Sequence, residues 1–264
     1  MKRRLPSRWL AAFTAASFLL ATGAFAADVH VMISAGFFHA YSELGPKFEQ
    51  QTGHHLVTVR GPSMGDSPEA IPTRLSRGES ADVVILDGGS ADELAKRGLV
   101  KADSKAVLAR SLIGMVVPEG AAKPDISTVD AFRDTLLAAK SIAYSDSGSG
   151  TYLSTQLFAK LGVADAVKAR SRKVRGPPSG EPVAAVVARR EADLGFQQVS
   201  ELIHVPGTTY VGAIPAELQP GFTFAGALTT SAREPEAGAA LIRFLASPAA
   251  APTLEKAGLA PPAR

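Results

Sequence analysis

Three corners of the chain carry small and hydroxyl residues where a predicted strand gives way to a predicted helix. They are Ser34-Ala35-Gly36-Phe37, Gly61-Pro62-Ser63-Met64-Gly65 and Ser147-Gly148-Ser149-Gly150-Thr151. At such a corner the first backbone N–H groups of the helix have no intrahelical partner, and the helix dipole favours negative charge. The corners therefore indicate an anion bound by neutral donors, although serine and glycine are also ordinary cap and turn residues.

No arrangement of residues typical of catalysis accompanies these corners. Residues 146–150, DSGSG, are not a G-x-S-x-G nucleophile elbow because Asp occupies the first position. The five histidines lack metal-ligand spacing, no G-x-x-x-x-G-K-[ST] loop occurs, and the absence of cysteine excludes disulfides, thiol nucleophiles and thiolate metal sites. We therefore predict that the chain is not an enzyme and that it uses no cofactor and no metal.

Two arginines leave a second ligand class open. Arg60 lies two residues before Pro62 of the second corner, and Arg175 lies in the loop that leads to Gly180. An arginine can bind a carboxylate with two parallel hydrogen bonds, which a pocket for a small oxyanion does not need. These arginines predict an organic carboxylate as the alternative ligand, unless both are ordinary surface residues.

The N-terminus has the three parts of a secretory signal peptide. Residues 2–8 are basic, residues 9–20 are apolar, and Ala24-Phe25-Ala26 is an A-x-A cleavage site. The apolar run is shorter than the roughly 20 residues of a membrane-spanning anchor. We predict cleavage near Ala26 and a secreted mature protein. The net charge of +3 depends on four basic residues in this segment, so nothing downstream favours nucleic acid.

The remainder of the 264 residues alternates between strand and helix patterns. Ser90 and Thr128 are predicted helix caps. Strands separated by helices imply mostly parallel sheets with helices on both faces, which bind ligands at the carboxyl ends of the strands. Strands are predicted at residues 29–34, 56–59, 81–86, 112–117, 142–144, 194–197 and 208–213. Helices are predicted at residues 37–51, 91–97, 151–161, 182–191, 234–245 and 248–257, and within 125–140.

Four segments, taken in order, resemble the periplasmic molybdate-binding proteins of ABC importers. They read VMISAGFFHAYSELGPKFEQQTG, GESADVVILDGGSADELAKRGLV, SIAYSDSGSGTYLSTQLFAKLGV and RREADLGFQQVSELI. The resemblance implies a type II periplasmic binding protein, in which two α/β lobes are linked by two crossing strands and hold the ligand between them. Lobe 1 would contain residues 27–113 and 203–264, and lobe 2 residues 114–202.

The same resemblance implies a set of ligand-contacting residues and a function. Gly36 stands where the family has a serine, and Gln198 stands where it has a tyrosine. The expected function is capture of a molybdate- or tungstate-like anion by a monomer that delivers it to an ABC permease. A periplasmic sensor without transport is a further alternative. The implied contact residues are Ser34, Gly36, Ser63, Ser149, Gly150, Thr151, Gly180 and Gln198.

Overall fold

The computed structural model describes residues 26–262, so the predicted signal peptide lies almost wholly outside the described residues. Within that range, ten strands form two five-stranded sheets. The strands are β1 Asp28–Ile33, β2 His55–Arg60, β3 Val83–Asp87, β4 Ala106–Arg110, β5 Ile113–Pro118, β6 Ile142–Ser145, β7 Ser171–Val174, β8 Leu194–Gln198, β9 Thr208–Ala213 and β10 Thr223–Leu228.

The helices connect and cover these strands. The third predicted corner leads into α5, which continues through a π-helical turn at Leu153–Leu157 into α6. The helices are α1 Ala35–Thr52, α2 Ile71–Ser76, α3 Gly88–Lys96, α4 Val129–Ala138, α5 Gly148–Tyr152, α6 Phe158–Lys160, α7 Ala164–Lys168, α8 Val183–Ala188, α9 Val199–Leu202, α10 Pro235–Leu245 and α11 Ala251–Lys256, with short 3₁₀ turns at Ala102–Ser104, Ala216–Leu218 and Pro248–Ala250.

Each sheet is mixed, which corrects the expectation of mostly parallel sheets. The first has the order β2-β1-β3-β10-β4, and the second has the order β7-β6-β8-β5-β9. The pairings of β1 with β2 and β3, and of β6 with β7 and β8, are parallel. The pairings of β10 and of β5 are antiparallel. Antiparallel pairing arises because these strands belong to the segments that cross between the sheets.

The two crossings define two lobes, each consisting of one sheet and its helices. The chain leaves the first sheet after Arg110 and enters the second at Ile113, close to the predicted boundary at residue 113. It returns only after Ala213, because β9 pairs with β5 in the second sheet. The predicted return at residue 203 is therefore too early by one strand. The two-lobed α/β fold itself is confirmed.

Helices cover both faces of each sheet, as the alternating pattern predicts. In lobe 1, α1, α10 and α11 bury one face and α2 and α3 the other. In lobe 2, α4 to α7 bury one face and α8 the other. Within residues 26–262 no single helix is long and apolar enough to cross a membrane; only α10 and the segment Pro248–Lys256, taken together across a 57° bend, match a span in length and composition.

Two predicted helix caps have different outcomes. Thr128 is confirmed, because its side chain accepts a hydrogen bond from the Ala131 N–H at 3.1 Å. The prediction that Ser90 caps α3 is wrong. The Asp87 carboxylate takes that position and accepts from the N–H groups of Gly89 and Ser90, so the helix begins three residues earlier than predicted. The cap thereby places a carboxylate at the carboxyl end of β3.

Asp82 joins the first sheet to α10 at the end of β3 opposite to Asp87. Its buried carboxylate accepts hydrogen bonds from the His30, Arg233 and Glu234 N–H groups at 2.7–2.8 Å. We predict that Asp82→Ala lowers the free energy of unfolding by about 3 kcal/mol, since it leaves buried donors unsatisfied. Urea unfolding measures this change, and Asp92→Ala, at an exposed position, is the control. An equal loss in both variants would contradict the role of Asp82.

Candidate functional site

The carboxyl ends of six parallel strands meet at one cleft between the lobes. β1, β2 and β3 end there from lobe 1, and β6, β7 and β8 end there from lobe 2. Between them lies a small cavity of about 50 Å³. Its volume admits only a few water-sized groups. It is lined by Ser34, Ala35, Gly36, Pro62, Ser63, Asp87 and Phe224 of lobe 1 and by Asp146, Ser147, Gly148, Gly176, Pro177, Gln197, Gln198 and Glu201 of lobe 2.

Four of the eight residues implied by the resemblance line this cavity: Ser34, Gly36, Ser63 and Gln198. The Ser34 hydroxyl is buried and has no hydrogen-bond partner among residues 26–262. Ser63 Oγ accepts a hydrogen bond from the Asp87 N–H at 3.0 Å, which leaves its own proton free to be donated. A Cβ at Gly36 would collide with Phe224 and with the end of the Gln198 side chain of the other lobe, so these side chains would have to move.

The other four, Ser149, Gly150, Thr151 and Gly180, do not line the cavity. The Ser149 hydroxyl is buried in a cluster with other serine hydroxyls, and Thr151 is exposed. Gly150 and Gly180 have steric roles, since a Cβ would collide with the Ser145 carbonyl oxygen at the first and the Arg175 carbonyl oxygen at the second. Residues that precede these glycines line the cavity instead. They are Ser147 and Gly148 in the first loop and Gly176 and Pro177 in the second.

The two predicted arginines lie on either side of the small cavity, in two further cavities. Arg60 lines a cavity of about 190 Å³ that shares Ala35, Pro177 and Glu201 with the small one. Arg175 lines a larger cavity of about 570 Å³, where it approaches Glu69 of lobe 1 at 3.5 Å. The Arg175–Glu69 pair therefore bridges the two lobes across the cleft. The small cavity thus shares lining residues with the Arg60 cavity, and it shares Pro62, Asp146 and Gly176 with the Arg175 cavity.

The sequence analysis missed three carboxylates of the cavity: Asp87, Asp146 and Glu201. Each lies at or just after the end of a strand that ends at the cleft, and this position is the signal that could have identified them. Asp87 caps α3, and Asp146 Oδ1 accepts a hydrogen bond from the Gly176 N–H at 3.1 Å. Burial raises the pKa of Asp87, against the opposing effect of its two backbone hydrogen bonds. Asp87 and Asp146 thus have structural partners in their own lobes.

Glu201 differs from the other two because its ionisation is strongly perturbed. Desolvation raises its pKa to about 7, and the negative charge of Asp146 adds to this shift. The Gln197 side chain and the charge of Arg60 act in the opposite direction. A carboxyl group with a pKa near 7 is half ionised at neutral pH, so it can both accept and return a proton. It stands at the junction of the small cavity and the Arg60 cavity.

Comparison with known proteins gives a family and two informative relatives. A model of the family described as bacterial extracellular solute-binding protein matches residues 29–260. An aconitate isomerase from Pseudomonas sp. is 45% identical over 258 residues, which cover 98% of this chain and 97% of the relative. A molybdate-binding protein from Azotobacter vinelandii is 27% identical over 251 residues, which cover 91% of this chain and 92% of the relative.

The fold comparison agrees with the sequence comparison. The solved structure of the periplasmic molybdate-binding protein from Azotobacter vinelandii superimposes with a TM-score of 0.70 and 21% identity, covering 89% of this chain and 100% of that one. The resemblance to molybdate-binding proteins is therefore confirmed, and with it the two-lobed binding-protein fold. The prediction that the chain is not an enzyme is wrong, because the relative at 45% identity is named as an isomerase.

The desolvated carboxylate of Glu201 has a measurable effect on stability. Its folded-state pKa of about 7 lies above the ordinary value of 4.5, so the folded protein binds the proton more tightly and stability falls as the pH rises from 4.5 to 7. We predict that Glu201→Gln removes this loss. The free energy of unfolding of the variant, relative to the wild type, should be higher at pH 8 than at pH 5 by about 2 kcal/mol.

Urea unfolding at the two pH values tests this prediction. Glu217→Gln, at an exposed position, is the matched control and should show no such difference. If Glu201→Gln changed the stability equally at pH 5 and pH 8, the carboxyl would not be desolvated in the folded protein.

Proposed function

This chain belongs to the family of bacterial extracellular solute-binding proteins, and we propose that within this family it is an isomerase of an unsaturated polycarboxylate such as aconitate. The observation that carries the proposal is Glu201, a carboxyl group with a pKa near 7 in the cleft where the fold encloses its ligand. The 45% identity with an aconitate isomerase over nearly the full length of both chains supports it.

The proposed reaction needs one group that accepts and returns a proton. Aconitate has a methylene carbon next to a carbon–carbon double bond, and each of the two terminal carbons of this three-carbon unit bears a carboxylate. The Glu201 carboxylate removes a proton from the methylene carbon, and the electron pair of the broken C–H bond delocalises over the unit. Glu201 then returns the proton to the opposite terminal carbon, and the double bond forms between the other two carbons.

This transfer balances without an oxidant, a reductant or water. The connectivity of the acid is the same before and after, so the net change is the geometry of the double bond, cis or trans. A binding-protein cleft suits the reaction because its closure excludes water from the base and fixes the acid against it. The hydroxyl groups of Ser34, Ser63 and Ser147 supply neutral donors beside Glu201.

A second candidate is capture of a small oxyanion such as molybdate. The same three hydroxyl groups, the small volume of the cavity and the relative from Azotobacter vinelandii favour it. The lining of the small cavity opposes it: three carboxylates lie there, and no lysine or arginine within residues 26–262 does. A compact dianion in this cavity would face like charges at short range, whereas a longer acid can place its carboxylates in the adjoining cavities.

Family membership also supports a location and a partner. We propose that the protein acts in the periplasm after removal of residues 1–26, and that an ABC permease is a partner for the acid that it binds or releases. We still propose a small anionic ligand, but the first candidate is now an organic carboxylate and no longer molybdate.

We predict that the purified wild-type protein interconverts cis- and trans-aconitate and that Glu201→Gln lowers kcat by about 10²–10⁴-fold, because the variant lacks the base. Proton NMR in D₂O measures both the isomerisation and the deuterium incorporated at the terminal carbons. Glu217→Gln is the matched control, and thermal shift with molybdate and tungstate tests the second candidate. Wild-type turnover by Glu201→Gln, or the absence of turnover by the wild type, would reject the proposal.

The pH dependence gives an independent test of the base. Glu201 must be ionised to accept the proton, so kcat/KM should rise through the pKa of about 7. At pH 6 it should be about one tenth of the plateau that is reached above pH 8. A value of kcat/KM that is constant from pH 6 to pH 9 would exclude Glu201 as the base.

A further inference from the structure

The cavity that contains Arg60 adjoins the proposed reaction site but is formed largely by other residues. It has a volume of about 190 Å³ and lies between α1 and β2 of lobe 1 and the α9 segment of lobe 2. The stacked rings of His39 and His204, with centroids 3.5 Å apart, join the two lobes along its lining. Glu201 is common to both cavities, so a ligand whose reacting carbon touches Glu201 can extend into this one.

Arg60 is held in a fixed orientation there without an anionic partner. Its guanidinium carbon lies 4.1 Å from the centroid of the Phe38 ring. Its Nε is buried and has no acceptor, and no carboxylate within residues 26–262 comes within 4 Å of the guanidinium. A cation that is partly removed from water without a counterion is costly, and its planar donors match a carboxylate. The arginine thus has no carboxylate in direct contact, although the charge of Glu201 in the same cavity is near enough to interact with it.

Ser200 provides a second unused donor from the other lobe. The residue is 5% exposed, and its hydroxyl is buried with no partner among the described residues. It lies in α9 next to Glu201, and it lines the same cavity as Arg60. Buried hydroxyl groups nearly always have hydrogen-bond partners, so an unpaired one in a cavity indicates a missing acceptor.

We propose that this cavity is a carboxylate subsite, in which Arg60 of lobe 1 and Ser200 of lobe 2 together hold one carboxylate of the substrate while Glu201 faces the reacting carbon. The placement of Glu201 against a reacting carbon rests on the proposed function. The subsite makes the protein select acids with several carboxylates over compact oxyanions, because only an elongated acid reaches Arg60 from Glu201. It also links closure to the ligand, since one carboxylate joins donors of both lobes.

The test uses propane-1,2,3-tricarboxylate, a saturated tricarboxylate that cannot isomerise. Titration calorimetry should show that Arg60→Met weakens its binding by about 30-fold or more, because a desolvated charge pair is lost. Ser200→Ala should weaken it by about tenfold, and Arg60→Lys should retain part of the affinity. Arg243→Met and Ser171→Ala are matched controls outside the cleft and should bind as the wild type does.

The outcomes separate the subsite from the reaction. Wild-type affinity in Arg60→Met and Ser200→Ala would overturn the subsite, even if aconitate is isomerised. If the affinity falls as expected while the wild type does not isomerise aconitate, the subsite stands and the proposed function fails. If Arg60→Met does not fold, as judged by circular dichroism, then Arg60→Lys and Ser200→Ala decide. A wild type that binds neither acid would overturn both proposals.

Discussion

The geometry of the site depends on one constraint: parallel strands of a sheet end at the same edge. Three such strands in each lobe end at the same cleft, and the residues that follow them become its lining. This convergence brings together polar groups from six separate segments of the chain. It also removes water from them, and the raised pKa of Glu201 is the result. The chemistry of the cleft therefore follows from its burial as much as from its residue types.

Three of the buried unpaired polar groups line the cleft cavities. The Ser34 hydroxyl, the Arg60 Nε and the Ser200 hydroxyl are all buried without partners within residues 26–262. Each lowers the stability of the empty protein, because a donor removed from water loses its hydrogen bonds. A ligand that supplies acceptors restores those bonds, so part of its affinity comes from relieving this cost.

The sequence predicted the fold better than the site, and particular residues show why. Seven strands follow from apolar patterns, and the two-lobed architecture follows from the resemblance to periplasmic molybdate-binding proteins. Three strands were missed: β4, β7 and β10. The sequence SRKV of β7 is polar, and TFAGAL of β10 consists mostly of small residues. β10 tolerates them because Gly226 allows α10 and Leu108 to pack closely against the strand. The positions of Ser34 and Ser63 were predictable from the corners, and that of Gln198 from the resemblance. The position of Glu201 after β8 was a signal that the sequence offered, but its raised pKa was not, because it arises from burial in the folded cleft, which no local pattern records.

The position of β10 has a consequence for how the chain acquires its structure. This strand lies between β3 and β4 in the first sheet, although more than a hundred residues of the chain separate it from either. Until residues 223–228 have been synthesised, β3 pairs only with β1 and β4 has no neighbour in the sheet, so one edge of β3 and both edges of β4 stay open. Lobe 1 therefore cannot complete its sheet during synthesis of the first two hundred residues, whereas every strand of the second sheet lies between residues 113 and 213. All strands of lobe 2 are therefore present in the chain before lobe 1 is complete, and the pairing of β10 closes the first sheet across more than a hundred residues.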